Sequence, residues 1–171
     1  MIDLIEKLNK LLATSFAMYL KTHFFHWNMR GSDFFEYHNF FDGLYNDIWE
    51  SVDSTAEEIK AIKGIAYGSF TQYESLSQVK DQTTVPTIQE MVSILYRDNE
   101  AVIDCLNEVH QAAEANKQYG LVNYIEDRID KHRKHGWMLS ASMSDQPVKE
   151  EKVVENSEQE TKTYILNPSE L

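Results

Sequence analysis

Residues 34–63 read as one helix, and its metal-ligand side chains stand too far apart to serve a single site within one copy of the chain. His38 and Asp42 fall near its start, Asp53 and Glu57 near its end. A helix rises about 1.5 Å per residue, so His38 and Asp53 are separated by roughly 22 Å along the axis, whereas a metal ion needs its donors at about 2 Å. A second, antiparallel copy removes the conflict. Each copy then sets its early histidines against the other's late carboxylates, giving two identical sites about a two-fold axis.

The histidine half of that arrangement is local. His26 lies five residues before Gly31 and His38 seven after it, so a tight turn near Gly31 between antiparallel helices sets the two imidazoles roughly opposite each other. Asp33 and Glu36 read as the N-cap and N3 of the second helix, an aspartate capping box, directly after a glycine suited to the C′ position of the first. Asp53 and Glu57 share a face at i,i+4, as do His38 and Asp42. Singly, such residues are bland: a histidine on an aromatic-rich helix is usually hydrogen-bonded core, and an acid pair usually a solvated face. Jointly, two histidines and two acids are expected on interior-facing registers of one helical hairpin.

Apolar periodicity supplies the rest of an all-α fold of four long helices. The first, about 2–30, carries Leu4, Leu8, Leu11, Leu12, Phe16, Tyr19, Leu20 and Phe24; the second stops at Gly64. A connection containing Gly68 and Pro86 follows, with a short helix expected at 73–79. Its length is what a third helix needs to return to the far end of a bundle with one long crossover. Thr87 and Glu90 form a capping box opening the third helix, with the stripe Ile88, Met91, Val92, Leu95, Tyr96, Val102, Ile103, Leu106 and Val109. The fourth is expected after Gly120, carrying Leu121, Ile125, Ile129, His132 and Trp137 to about Met143. These stripes are core, and His132 and His135 read as packing or surface residues. Residues 1–143 thus form one bundle domain. Residues 144–171 hold seven acids and three lysines and read as a mostly disordered acidic tail.

Composition narrows the class. With no apolar run of membrane-spanning length and no basic-then-apolar leader, the chain is expected to be soluble and cytoplasmic. One cysteine, Cys105, excludes an intrachain disulfide and reads as a small packing residue. The formal charge is −12, and the first ten residues hold two acids and two lysines. Without a basic surface to neutralise phosphates, DNA binding is not expected. Bundles that hold two metals within one subunit use Glu-x-x-His motifs, and no glutamate in this chain has a histidine three residues later.

The run from Thr22 to Gly64 resembles the signature of the Dps family, the DNA-binding proteins from starved cells: twelve-subunit miniferritins of the ferritin-like superfamily. The matching residues are His26-Trp27, His38, Asp42, and Asp53 with Ala56-Glu57, and a second element, Asp127-Arg128-Ile129, His132, Lys134 and Trp137-Met138-Leu139, resembles the family's last helix. The resemblance spans about residues 2–143. It implies a ferritin-like four-helix bundle assembling into a hollow dodecameric shell, with a two-iron ferroxidase site at the dimer interface. His26 would bind the first iron together with Asp53 and Glu57 from the partner subunit, while His38 and Asp42 support a second, weaker iron. Trp27 beside the site reads as packing.

The implied activity is oxidation of Fe(II) for mineral storage, with hydrogen peroxide as the family's preferred oxidant and dioxygen as the alternative, protecting against oxidative damage. Oxygen-rich ligands with few imidazoles suit a hard, labile iron better than a closed zinc site. Two departures from the family pattern stand out. Glu58 replaces the usual arginine after Ala-Glu, and Asn123 replaces an aspartate that often lines a three-fold pore. The route by which iron enters is then expected to depend on neighbours such as Glu126 or Asp127. The rival reading is a non-enzymatic helical bundle, architectural or partner-binding, with a structural metal or none.

Overall fold

The computed structural model describes residues 1–143, and the acidic segment 144–171 lies outside the described residues. The order is α1 (Ile2–Asn28), α2 (Phe34–Ala61), α3 (Phe70–Leu76), α4 (Ile88–Ala115) and α5 (Tyr119–Met143). Among the described residues there is no strand, and no helix is long and apolar enough to cross a membrane. The four long helices form the bundle. α1 packs on α2 and α4, and α4 packs on α5. Lys21–Asp98 and Lys10–Glu108 tie the two ends of α1 to reversed positions on α4, which makes that pair antiparallel. α2 and α4 consequently run the same way, and the chain between them must travel back along the bundle.

That crossover is pinned from α1. The buried Asn9 amide donates to the Ile65 carbonyl and its oxygen accepts from the Tyr67 amide, at 3.0 and 2.8 Å. Farther along, the Gln78 amide donates to Thr14 Oγ1 at 3.2 Å. The short helix lies at Phe70–Leu76, earlier than the expected 73–79, because Ser69 accepts from the Gln72 amide and caps it there.

The apolar stripes hold with local corrections. On α1 the buried face passes from Leu4, Leu8, Leu11 and Leu12 to Met18 and Phe25, leaving Leu20 outside and Phe16, Tyr19 and Phe24 half-buried. Trp137 is exposed, and Arg128, His132 and His135 occupy the interior of α5 with Leu121, Ile125 and Leu139. α5 also starts at Tyr119, so Gly120 lies inside its first turn. Cys105 is buried against Thr14, and burial pushes its thiol up, consistent with packing.

Two helix ends differ from expectation in mechanism. Asp33 is the N-cap of α2, but its side chain makes no capping bond; its backbone, at φ −95° and ψ 22°, lacks the extended conformation that aims a cap oxygen at the N3 amide. α1 ends at Met29 in an extended conformation, so Gly31, at φ 145°, sits two residues beyond that cap and not at C′. Thr87 and Glu90 do form the expected reciprocal box on α4.

Candidate metal centre

Five residues separate α1 from α2, and the resulting hairpin brings His26 and His38 face to face. Their rings stack with centroids 3.7 Å apart and planes within 18°. Each imidazole is held by the other's backbone: His26 Nδ1 donates to the His38 carbonyl at 3.0 Å, and His38 Nδ1 to the His26 carbonyl at 3.1 Å. A carbonyl oxygen only accepts, so both protons reside on Nδ1 and both Nε2 lone pairs are left for another partner. This is the support that metal-bound imidazoles require, with one nitrogen fixed to a carbonyl and the other free. Among the described residues neither Nε2 has a hydrogen-bond partner.

The carboxylates correct the expectation of interior-facing registers. Asp42, Asp53 and Glu57 are exposed on the outer face of α2, while Leu44, Ile48, Ser51, Thr55 and Ile59 face the core. His26 is only 9% exposed and His38 half-buried. Among the described residues of one subunit, no three His, Cys, Asp or Glu side chains converge as a metal cage. One copy therefore presents a histidine pair at one end of α2 and a carboxylate pair farther along it, as the helical rise requires.

Aromatic side chains fill the ground between these ends. Tyr45 donates its hydroxyl to Asp42 Oδ1 at 2.7 Å and stacks on His23 at 4.0 Å. The bond to Asp42 pulls the Tyr45 phenol above its ordinary value, which keeps it a donor. Trp27 lies tilted against His23 at 4.1 Å and is 61% exposed in the isolated subunit. Packing on His23 therefore leaves most of the ring open. An open groove lined by Leu12, Trp49, Val52, Asp53, Ala56 and Tyr73 runs beside the carboxylate end.

These elements match known proteins over most of the chain. Residues 5–146 fit the ferritin-like domain family. The chain is 31% identical to general stress protein 20U of Bacillus subtilis over 81% of its own length and 96% of that protein, and 28% identical to DNA protection during starvation protein 2 of Bacillus anthracis over 83% and 97%. The crystal structure of Dps from Staphylococcus aureus superposes with a TM-score of 0.81 at 28% identity, covering 85% of this chain and 98% of that one. The Dps structure from Vibrio cholerae O1, described as a member of a broad superfamily of ferritin-like diiron-carboxylate proteins, gives 0.80 at 28% identity over 82% and 89%. The chain belongs to the Dps family of ferritin-like proteins.

Within the Dps fold, the residues at the two departures differ in exposure. Glu58 is half-buried on α2, and Asn123 on α5 is exposed. Of its neighbours, Glu126 accepts from His110 at 3.2 Å and Asp127 pairs with Lys131 at 3.4 Å.

Sequence reasoning did not find the buried polar network that joins α2, α4 and α5 below the site. Arg128 forks onto both oxygens of Asp47 at 3.2 and 2.9 Å. Burial alone would raise Asp47, but Arg128's hydrogen bonds and charge, with His135 and Lys131, bring it below the usual carboxylate value. His132 Nδ1 donates to Asn99 Oδ1 at 2.8 Å, and its Nε2 lies 3.3 Å from Arg128 Nη2, which must be the donor. Burial pushes His132 well below its ordinary value and His135 to about 4. Gly136 permits this, since a Cβ there would meet Asn99 Nδ2 at 3.1 Å. The available signal was a polar Asn99 on the apolar stripe between Leu95 and Val102.

Proposed function

We propose that the protein is an iron-storage miniferritin that oxidises Fe(II) at sites shared between antiparallel subunits of a dodecameric shell. The observation that carries this reading is the reciprocal lock of His26 and His38, which frees both Nε2 atoms while Asp53 and Glu57 wait, exposed, farther along α2. His26 of one subunit with Asp53 and Glu57 of the other bind the first iron; His38 and Asp42 bind a second more weakly. The likeness to Dps proteins and to a diiron-carboxylate protein supports iron as the metal. The donor set fits it, because mixed carboxylate and imidazole ligands hold a hard ion without closing all its positions.

Two ions held side by side deliver one electron each to a single oxidant. Hydrogen peroxide takes both, its O–O bond breaks to two hydroxide ions, and no hydroxyl radical is released. The chain's own part is positional. The histidine pair supplies two oriented Nε2 donors, the carboxylates offset the cation charge, and closure of one subunit on another removes water from between them. A cytoplasmic protein of this kind withdraws iron and peroxide together.

Stopped-flow mixing of the metal-free protein with Fe(II), then peroxide or dioxygen, tests the assignment. Oxidation much faster than in protein-free buffer is expected, with peroxide the faster oxidant. If neither oxidant is consumed faster than in buffer, the protein is a non-enzymatic bundle instead.

A further inference from the structure

Tyr45 has no part in the ligand set, yet it touches more of the centre than any other non-ligand. Its hydroxyl donates to Asp42 Oδ1 at 2.7 Å. Its ring stacks on His23 at 4.0 Å and 14°, and meets the edge of His26 at 5.2 Å and 68°. His23 is held in turn, with the Trp27 ring tilted against it at 4.1 Å and Tyr19's hydroxyl 3.3 Å from its Nδ1. The phenol therefore projects from a braced ring toward a carboxylate that is itself exposed and otherwise free to change rotamer.

We propose that Tyr45 is a positioning residue for the metal centre, holding Asp42 oriented beside His38 so that its second oxygen is ready for the weaker ion. The proposal rests on the shared-site reading and adds to it the group that makes Asp42 a preformed ligand. A carboxylate has about four lone-pair directions, so Oδ1 can accept from Tyr45 while Oδ2 ligates. The short bond to an ionised acceptor is of the stronger kind. Asp42 needs such a brace because it is exposed, in contrast to His26 and His38, which are fixed by each other's backbone.

Tyr45→Phe keeps the ring and its stacking and removes only the donor. The assembled protein is titrated anaerobically with Co(II), a redox-inert probe whose ligand-field absorption and binding heat separate the two ions. Wild type is expected to take two ions per shared site. In Tyr45→Phe the first should bind as before and the second about tenfold more weakly, the usual order for loss of a supporting partner, with an unchanged thermal midpoint. In an Asp42→Ala background the Phe substitution should change nothing further, since the partner through which Tyr45 acts is gone.

Tyr45→Phe isotherms that superimpose on wild type overturn the proposal, as does equal weakening of both ions, which would mark a packing effect. In either case loss of cobalt binding in His26→Ala leaves the shared site standing. If wild type binds cobalt no better than His26→Ala, the shared site falls and the role of Tyr45 falls with it.

Discussion

At the level of single residues, the centre and the bundle interior use histidine in opposite ways. His26 and His38 are oriented by carbonyls and keep one nitrogen available, whereas His132 has both nitrogens committed, to Asn99 and Arg128. The interior pair has a pH consequence. His132 and His135 are held below their ordinary value by burial, so below about pH 6.5, and down to about 4 for His135, the unfolded chain binds protons that the folded one refuses. Stability is full above that window and falls as pH drops into it, by about 2 kcal/mol at pH 5 for His135, with His132 acting in the same direction. Urea midpoints at pH 8 and pH 5 check this. His135→Gln should narrow the difference, and equal midpoints in wild type would contradict the buried, neutral assignment. The pairing of His26 with His38 was legible in the sequence because a short turn near Gly31 between antiparallel helices limits their spacing, and the separation of Asp53 and Glu57 from them followed from helical rise. Tyr45 and the Asp47–Arg128–His132 network were not, since a tyrosine or a buried arginine among apolar neighbours leaves no periodic mark.

The elements were legible in type and less so in their ends. Thr87 with Glu90 announced α4 correctly, because that box is local in sequence and its geometry follows from side-chain reach. Gly64 was read as the stop of α2, but the left-handed residue is Lys63, at φ 65°. The Gly64 amide bonds to the Ile59 carbonyl at 2.8 Å and the Lys63 amide to that of Lys60 at 2.9 Å, a Schellman pair with lysine at C′. Gly64 is needed for a different reason: a Cβ there would sit 2.8 Å from Ile59 Cγ2 and 3.0 Å from the Ile59 carbonyl. Lys63→Gly should therefore stabilise the protein by about 0.5–1 kcal/mol, while Gly64→Ala should cost about 1–3 kcal/mol. Denaturant midpoints of the two variants, moving in opposite directions, check the assignment. The reverse order would place the left-handed residue at Gly64. Likewise, the exposed acids of α2 could not be told from core-facing ones by spacing alone, because an i,i+4 pair shares a face whichever way that face points.

For the whole molecule, charge and symmetry set the behaviour. With −12 per chain, an assembled shell repels a polyanion, since counterion-release binding needs the opposite sign. No shift of duplex DNA is expected at physiological salt and neutral pH. A salt-sensitive complex at micromolar protein would reveal a basic surface. The central claim is that each centre is built from two subunits, and complementation tests it most directly. His26→Ala with His38→Ala removes the imidazole half of every site; Asp53→Ala with Glu57→Ala removes the carboxylate half. Each variant alone should be nearly inactive in Fe(II) oxidation. Unfolded together in equal amounts and refolded, they form mixed dimers in which one site takes histidines from the second variant and carboxylates from the first, and is whole. Random pairing predicts recovery of about a quarter of the wild-type rate. Verified mixed assemblies that recover none would contradict a site shared between subunits.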